Sequence, residues 1–277
     1  MKKSLSFILF CIIAGLVFSA NGFADDLSCF KNQTGTIRIA GGTAHIPVME
    51  KAAKQIMAAN PQIKITVAGG GSGAGVKQVG EGLVNIGNTG RKPTDEEIAK
   101  YHLKMFKWAI DGVGVVVNPS NPVKNITKQQ LKDIFSGKTT NWKDVRGEDR
   151  QIVVYTRDNS SGTREVFFEK GLDKGEILPQ ANVVASNGAM KTAVAADPNG
   201  IGYVSVGHID QSVAPVALDG IRPTIETVKS GQYIISRGLY SNTKGDPDPL
   251  TQCFLDYLTS KEGQKLIAEK GFIPVTE

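Results

Sequence analysis

Two segments of this chain carry residue types suited to holding an anion. The first is Gly69-Gly70-Gly71-Ser72-Gly73-Ala74-Gly75-Val76-Lys77, after the strand-like run Ile63-Lys64-Ile65-Thr66-Val67. The second runs from Arg157 through Ser160, Ser161, Gly162 and Thr163 to Arg164, after Ile152-Val153-Val154-Tyr155. Each leads into a helical-looking stretch. Ser, Thr and Gly at a helix start leave backbone N–H groups without intrahelical partners, and the helix dipole adds partial positive charge there. Arg157 adds a guanidinium fork that can make two parallel bonds to a tetrahedral oxyanion. Thr43, after Gly41-Gly42, offers a hydroxyl beside the Ala44 amide as a third contact. Together these residues point to an oxyanion held from two sides.

Plainer readings stand beside this one. The glycines also suit a tight turn, Ser161 an ordinary N-cap, and Arg157 a surface position. The glycine segment lacks the register of a dinucleotide fingerprint, and Lys77 is followed by Gln78 rather than by the Ser or Thr of a P-loop. No Ser-His-Asp or Cys-His pattern and no G-x-S-x-G elbow proposes a nucleophile with its base. His45, His102 and His208 have no metal-like spacing among themselves or with the cysteines, and His45 reads as structural. Neither a metal nor a cofactor is expected.

The elements that must position these residues alternate. Strands are expected at Thr36–Ala40, Ile63–Val67, Val84–Gly87, Val113–Asn118, Ile152–Tyr155, Gly202–Val206 and Tyr233–Tyr240. Helices are expected at Val48–Asn60, from Thr94 to about Tyr101, from Thr127 to Phe135, at Gly162–Lys170, around Ala189–Ala196, briefly after Pro223, and in one long run Pro249–Glu269. Thr94-Asp95-Glu96-Glu97 reads as a capping box. The alternation argues an α/β chain with largely parallel sheets. A new unit is expected near Pro119, with the final helix packing back on the first unit.

Lys2 and Lys3 followed by the apolar run Phe7–Phe18 read as a secretory signal, with cleavage after Gly22-Phe23-Ala24. Its loss lowers the formal net charge from +5 by two lysines, too little positive charge to argue for nucleic acid, and the basic residues are scattered. Cys11 and Cys29 lack the surroundings of a lipid-acylation site. The expected product is exported and soluble, and it is large enough to bury a good core. Cys29 and Cys253 survive processing. An oxidising compartment and an even count favour a bridge between them, and two separate thiols are the alternative.

Several further stretches carry a resemblance: Gly42-Thr43, Gly71 through Lys77, Asp111-Gly112-Val113, Leu131-Lys132-Asp133-Ile134-Phe135-Ser136-Gly137-Lys138, Asn141-Trp142, Arg157 through Arg164, and Gly200-Ile201-Gly202-Tyr203-Val204. In these the chain resembles the periplasmic phosphate-binding proteins, receptors of the high-affinity ABC phosphate importer within the type II periplasmic-binding-protein superfamily, across nearly its whole mature length. The resemblance implies a two-lobed α/β fold, its lobes joined by two crossover strands and its ligand in the cleft. Residues 25–117 would begin lobe 1, 118–230 form lobe 2, and 231–277 return to lobe 1. It implies phosphate contacts from Thr43, the Ala44 amide, Ser72, Arg157, Ser161 and the amides of Gly162 and Thr163, with Gly73, Thr89, Gly90 and Arg91 around them. It also implies binding without catalysis, a membrane permease as partner, a periplasmic location and a monomer.

One position departs from the pattern. Some members carry an aspartate that accepts the proton of hydrogen phosphate and so turns sulfate away; Gly90 stands there in this chain, within Thr89-Gly90-Arg91. Asp111, a carboxylate opening a buried strand, is expected to accept that proton or to pair with a neighbouring arginine, with the capping of a turn at Gly112 as the plain reading. Arg91 can touch ligand, hold Asp111 or be solvated. The departure keeps another tetrahedral oxyanion (sulfate, arsenate or molybdate) open as the ligand. An exported phosphatase and a receptor that signals phosphate are the readings from other classes.

Overall fold

The structure is a computed structural model that describes residues 26–275; the expected signal segment, 1–24, lies outside them. The chain begins with a β-α pattern. Strand β1 (Gly35–Gly41) pairs in parallel with β2 (Ile63–Gly70) and β3 (Ile86–Thr89). Helix α1 (Ile46–Ala59) connects β1 to β2, and Pro47 lies in its first turn, where a missing N–H costs nothing. Val48, Met49, Ala52, Ala53 and Ile56 recur at helical spacing and are buried. Helix α2 (Gly71–Gly80) follows β2 without an intervening loop. Helix α3 (Asp95–Tyr101) opens with the expected capping box between Thr94 and Glu97.

Strand β4 (Leu103–Val117) is the longest among the described residues. The second half of the fold follows: β5 (Asn125–Ile126), α4 (Lys128–Phe135), β6 (Val153–Arg157), α5 (Gly162–Val166), β7 (Asn182–Val184), α6 (Asn187–Ala196), β8 (Gly200–Ser205), β9 (Ala214–Pro215), β10 (Ala217–Leu218) and α7 (Ile225–Lys229). The chain returns through β11 (Ser236–Lys244) to α8 (Pro249–Thr259), α9 (Lys261–Glu269) and β12 (Ile273–Pro274). The main strand path runs β2-β1-β3-β11-β4-β8-β6-β7.

Two large cores flank this path, with a small third cluster of Val76, Val79 and Leu103 beside the first. One is built from Phe30, Ile37, Val48, Trp108, Leu239, Phe254 and their neighbours. The other includes Val113, Phe135, Trp142, Phe167, Tyr203 and Ile235. Strand β4 leaves the first core after Ala109 and enters the second at Val113; β11 is reached from Ile235 in the second and rejoins the first at Leu239. Antiparallel pairing sets Asp111 directly opposite Arg237 where both strands change cores.

The structure corrects several expected elements. The sheet is mixed: β4 and β11 pair antiparallel with each other, β3 with β11 and β8 with β4, because these strands pass between the cores instead of closing β-α-β units. The strand expected at 113–118 begins ten residues earlier, at Leu103; Lys104, Lys107 and Asp111 obscure its first half. The strand expected at 233–240 lies at 236–244. The single last helix is two helices, since the Ser260 hydroxyl accepts the Gly263 amide and starts α9 anew. After Val166 the helix widens into a π-turn, Phe167–Gly171.

Cys29 and Cys253 are joined, tying the N-terminal turn to α8 across 224 residues of sequence. Bridges over long loops restrict the unfolded chain most. The double variant Cys29→Ser/Cys253→Ser is expected to lose about 2–5 kcal/mol of unfolding free energy in urea titrations, and equal stability would show that the bridge adds nothing.

Candidate functional site

The carboxyl ends of β1, β2, β3 and β6 point at the gap between the cores, where open α/β sheets place their ligands. There they enclose a small cavity. Thr43, Ala44 and His45 come from the turn after β1, Gly71 and Ser72 from the start of α2, and Gly90 from the end of β3. Arg157 ends β6, Ser161, Gly162 and Thr163 start α5, and Arg237 comes from β11. Every expected contact residue except Asp111 therefore lines one cavity. Of the four residues expected around them, only Gly90 reaches the lining.

Each hydroxyl in this wall already accepts an N–H. Thr43 Oγ1 accepts from the Asn187 amide at 3.2 Å and its Nδ2 at 3.0 Å. Ser72 Oγ accepts from the Gly90 amide at 3.0 Å. Ser161 Oγ accepts from the Arg164 amide at 3.2 Å, and Thr163 Oγ1 from Arg237 Nη1 at 3.0 Å. A hydroxyl that accepts from nitrogen keeps its own proton to donate, so the wall is rich in donors. The first-turn amides of α2 and α5 add N–H groups that no intrahelical carbonyl can take.

Arg157 is 2% exposed. Its Nη2 donates to the Ala185 carbonyl at 2.9 Å, its Nη1 lies 3.5 Å from Thr43 Oγ1, and its Nε has no hydrogen-bond partner. Burial lowers its pKa. Among the described residues it makes no direct ion pair, and the Asp158 carboxylate acts on it only through space, so the buried guanidinium is under-compensated.

Arg237 was not foreseen. Its Nε donates to Asp111 Oδ2 at 2.8 Å, its Nη2 lies 2.7 Å from the same oxygen, and Ser205 Oγ donates to Oδ1 at 2.9 Å. Both carboxylate oxygens of Asp111 are thus engaged. Of the two roles expected for Asp111, the structure displays pairing with an arginine, and Asp111 does not line the cavity. A charged residue inside the apolar run Ile234-Ile235-Ser236-Arg237-Gly238-Leu239 is the sequence signal that marks Arg237, the same signal that marked Asp111.

Arg91 does not line the cavity, does not pair with Asp111 and is not left to solvent. Its guanidinium forks onto Glu97 at 2.6 and 2.7 Å, and its Nε lies 2.6 Å from Glu165 Oε2 on α5. It therefore ties the first half of the fold to the second beside the cavity. Other contacts also cross this gap: Ser160 Oγ donates to the Gly70 carbonyl and the Gly73 amide donates to the Ser160 carbonyl, each at 3.0 Å. A methyl group on Gly162 would overlap Ser72 Oγ, so the two halves meet here only because position 162 is glycine. Thr89 is fully buried, with its carbonyl facing His45 Nε2 at 3.1 Å and its hydroxyl accepting from Asn242 Nδ2.

The chain is similar to several known proteins. The family model of the PBP superfamily domain matches residues 31–262. The phosphate-binding protein PstS of Bacillus subtilis is 38% identical over 247 residues, covering 88% of this chain and 82% of that protein. A Clostridium perfringens protein assigned as a phosphate ABC transporter substrate-binding protein, solved with bound phosphate, is 34% identical with a TM-score of 0.82, covering 87% of this chain and 100% of that one. An ABC-type phosphate transport receptor from Vibrio cholerae is 36% identical with a TM-score of 0.70, covering 86% and 99%.

His45 supplies a test of the wall's burial. Desolvation, helped by the Arg237 charge, lowers its pKa to about 3. The folded protein then keeps this ring neutral while the unfolded chain protonates it below about pH 6.5. Its contribution is present above that pH and is lost as pH falls. Between pH 7 and 5 the wild type is expected to lose about 2 kcal/mol more stability than His45→Gln, measured by urea unfolding at each pH. Parallel profiles would show that His45 titrates normally in the folded state.

Proposed function

The chain belongs to the PBP superfamily and, within it, to the phosphate-binding proteins of ABC importers, and from that premise we propose that it captures inorganic phosphate between its lobes and delivers it to a membrane permease. The observation that carries this reading is Arg157: a buried guanidinium whose Nε has no hydrogen-bond partner, in a wall of hydroxyl and amide donors. Such a wall is complete only when an anion fills it.

In this reading the Thr43, Ser72, Ser161 and Thr163 hydroxyls and the Ala44, Gly162 and Thr163 amides donate to the phosphate oxygens, and Arg157 supplies charge. Asp111 acts from behind, through Arg237. In this reading one lobe is built on the first core and the other on the second, so the boundaries expected near 117 and 231 move to between Ala109 and Val113 on β4 and between Ile235 and Leu239 on β11. Ligand contacts from both lobes coexist only when the cleft is shut, so binding favours closure. We read the protein as a monomer exported to the periplasm that binds without covalent chemistry. Release of phosphate from an aryl phosphate ester would overturn that last point.

Titration calorimetry of the ligand-stripped chain with phosphate tests the proposal directly. Tight one-to-one binding is expected, and no heat of binding would refute it. Arg157→Gln should weaken phosphate by on the order of a hundredfold, as loss of a charged, desolvated hydrogen-bonding group does. Glu165→Gln should weaken it by less than about fivefold, because the Glu165 side chain is 39% exposed and its pair with Arg91 is partly solvated. An unchanged affinity in Arg157→Gln would remove Arg157 from the ligand.

A further inference from the structure

The cavity holds a second cation where a carboxylate was expected. Arg237 lines it beside Arg157, and its side chain is 2% exposed. Three features fix its guanidinium. Asp111, opposite it across β4 and β11, takes Nε and Nη2. Thr163 on the far side of the cleft accepts from Nη1, and the Gly90 carbonyl lies 3.4 Å from Nη1. A Cβ at position 90 would come within 2.6 Å of Nη1, so the fork occupies the space that a side chain there would need. These contacts take four of its five N–H groups, leaving one on Nη2 for a ligand.

No Asp or Glu is among the residues lining this cavity. The nearby carboxylate, Asp111, has both oxygens engaged by Arg237 and Ser205. Discrimination against an unprotonated oxyanion requires an acceptor that such a ligand leaves unpaired. The lining instead presents two guanidinium groups and hydroxyls that accept from protein N–H groups and keep their own proton to donate.

Resting on the phosphate reading above, we infer that Arg237, positioned by Asp111 and given its space by Gly90, is a second ligand-contacting guanidinium, and that the site selects tetrahedral oxyanions by charge and shape instead of by accepting their proton. Sulfate, which has the shape and charge without the proton, is therefore an admissible ligand. Arg237 also meets Thr163 across the cleft from one of the strands joining the lobes, so its contact with ligand belongs to the closed form.

The test is calorimetry at pH 8 on the ligand-stripped protein, with phosphate alone and with phosphate titrated against sulfate. Sulfate is expected to displace phosphate with an affinity no more than about a hundredfold weaker, where a carboxylate-gated site rejects its analogue by about 10⁴-fold. Arg237→Gln should weaken both anions by about ten- to a hundredfold. Gly90→Ala leaves Asp111 and Arg237 in place and crowds the fork, so it should weaken both anions in the same direction, and it decides the point if Arg237→Gln does not fold. Phosphate binding with sulfate rejected at about a thousandfold excess would overturn this inference alone, as would folded Arg237→Gln or Gly90→Ala binding phosphate within about twofold of wild type. A wild-type chain that binds no phosphate would overturn the proposed function and this inference together.

Discussion

A guanidinium removed from water needs a counter-charge, and the desolvation it suffers amounts to several kcal/mol. Arg157 is held in that condition by the second core. Its backbone amide donates to the Tyr203 hydroxyl at 3.1 Å, Thr156 Oγ1 lies 2.9 Å from the same oxygen, and the Tyr203 ring stacks on Phe167 at 4.0 Å. The end of β6 therefore cannot swing out to solvate the arginine without unpacking aromatic rings. Much of the surrounding arrangement follows from that constraint: the short turn to Ser161, the donor-rich wall, and the closeness of the opposing half.

Positive charge in a small cavity must also be limited, or the two guanidiniums would repel each other. Arg237 lowers the pKa of Arg157 through space, and Asp111 balances Arg237 from behind without entering the cavity. The balancing pair sits on β4 and β11 where both leave one core for the other. A buried ion pair is weak evidence for stability in itself and is costly to break from one side. Placed there, it fixes the register of the two strands that any relative motion of the lobes must bend. On the proposed reading, the anion-facing arginine and the strands that pass between the cores share residues.

Closure depends on how near the halves can come. Gly162 against Ser72, Gly71 against Ser160, and the hydrogen bonds from Ser160 to Gly70 and from Gly73 to Ser160 make this a backbone-to-backbone approach. That is why small residues cluster at both helix starts. The Arg91 bridge to Glu97 and Glu165 lies outside the cavity, at its edge, where charge holds the halves together without competing for the ligand.

Local signals carried much of this. The alternation of apolar runs and capped helices, the Thr94 capping box, and the two Ser/Gly helix starts each depend on residues a few positions apart, so the chain itself specifies them. Thr43, Ser72, Arg157 and Ser161 were legible because each ends or follows a strand in its own segment. Pairings across long sequence separations were not. Asp111 and Arg237 stand 126 residues apart, and only the antiparallel return of β11 along β4 makes them neighbours. The reach of β4 back to Leu103 was hidden for the same reason, since charged residues in a strand are tolerated only where the tertiary structure supplies partners or solvent. The sequence by itself determined which segments could present donors to an anion. The tertiary structure decided which charges would face it, because charge balance in a buried cavity is settled by neighbours in space.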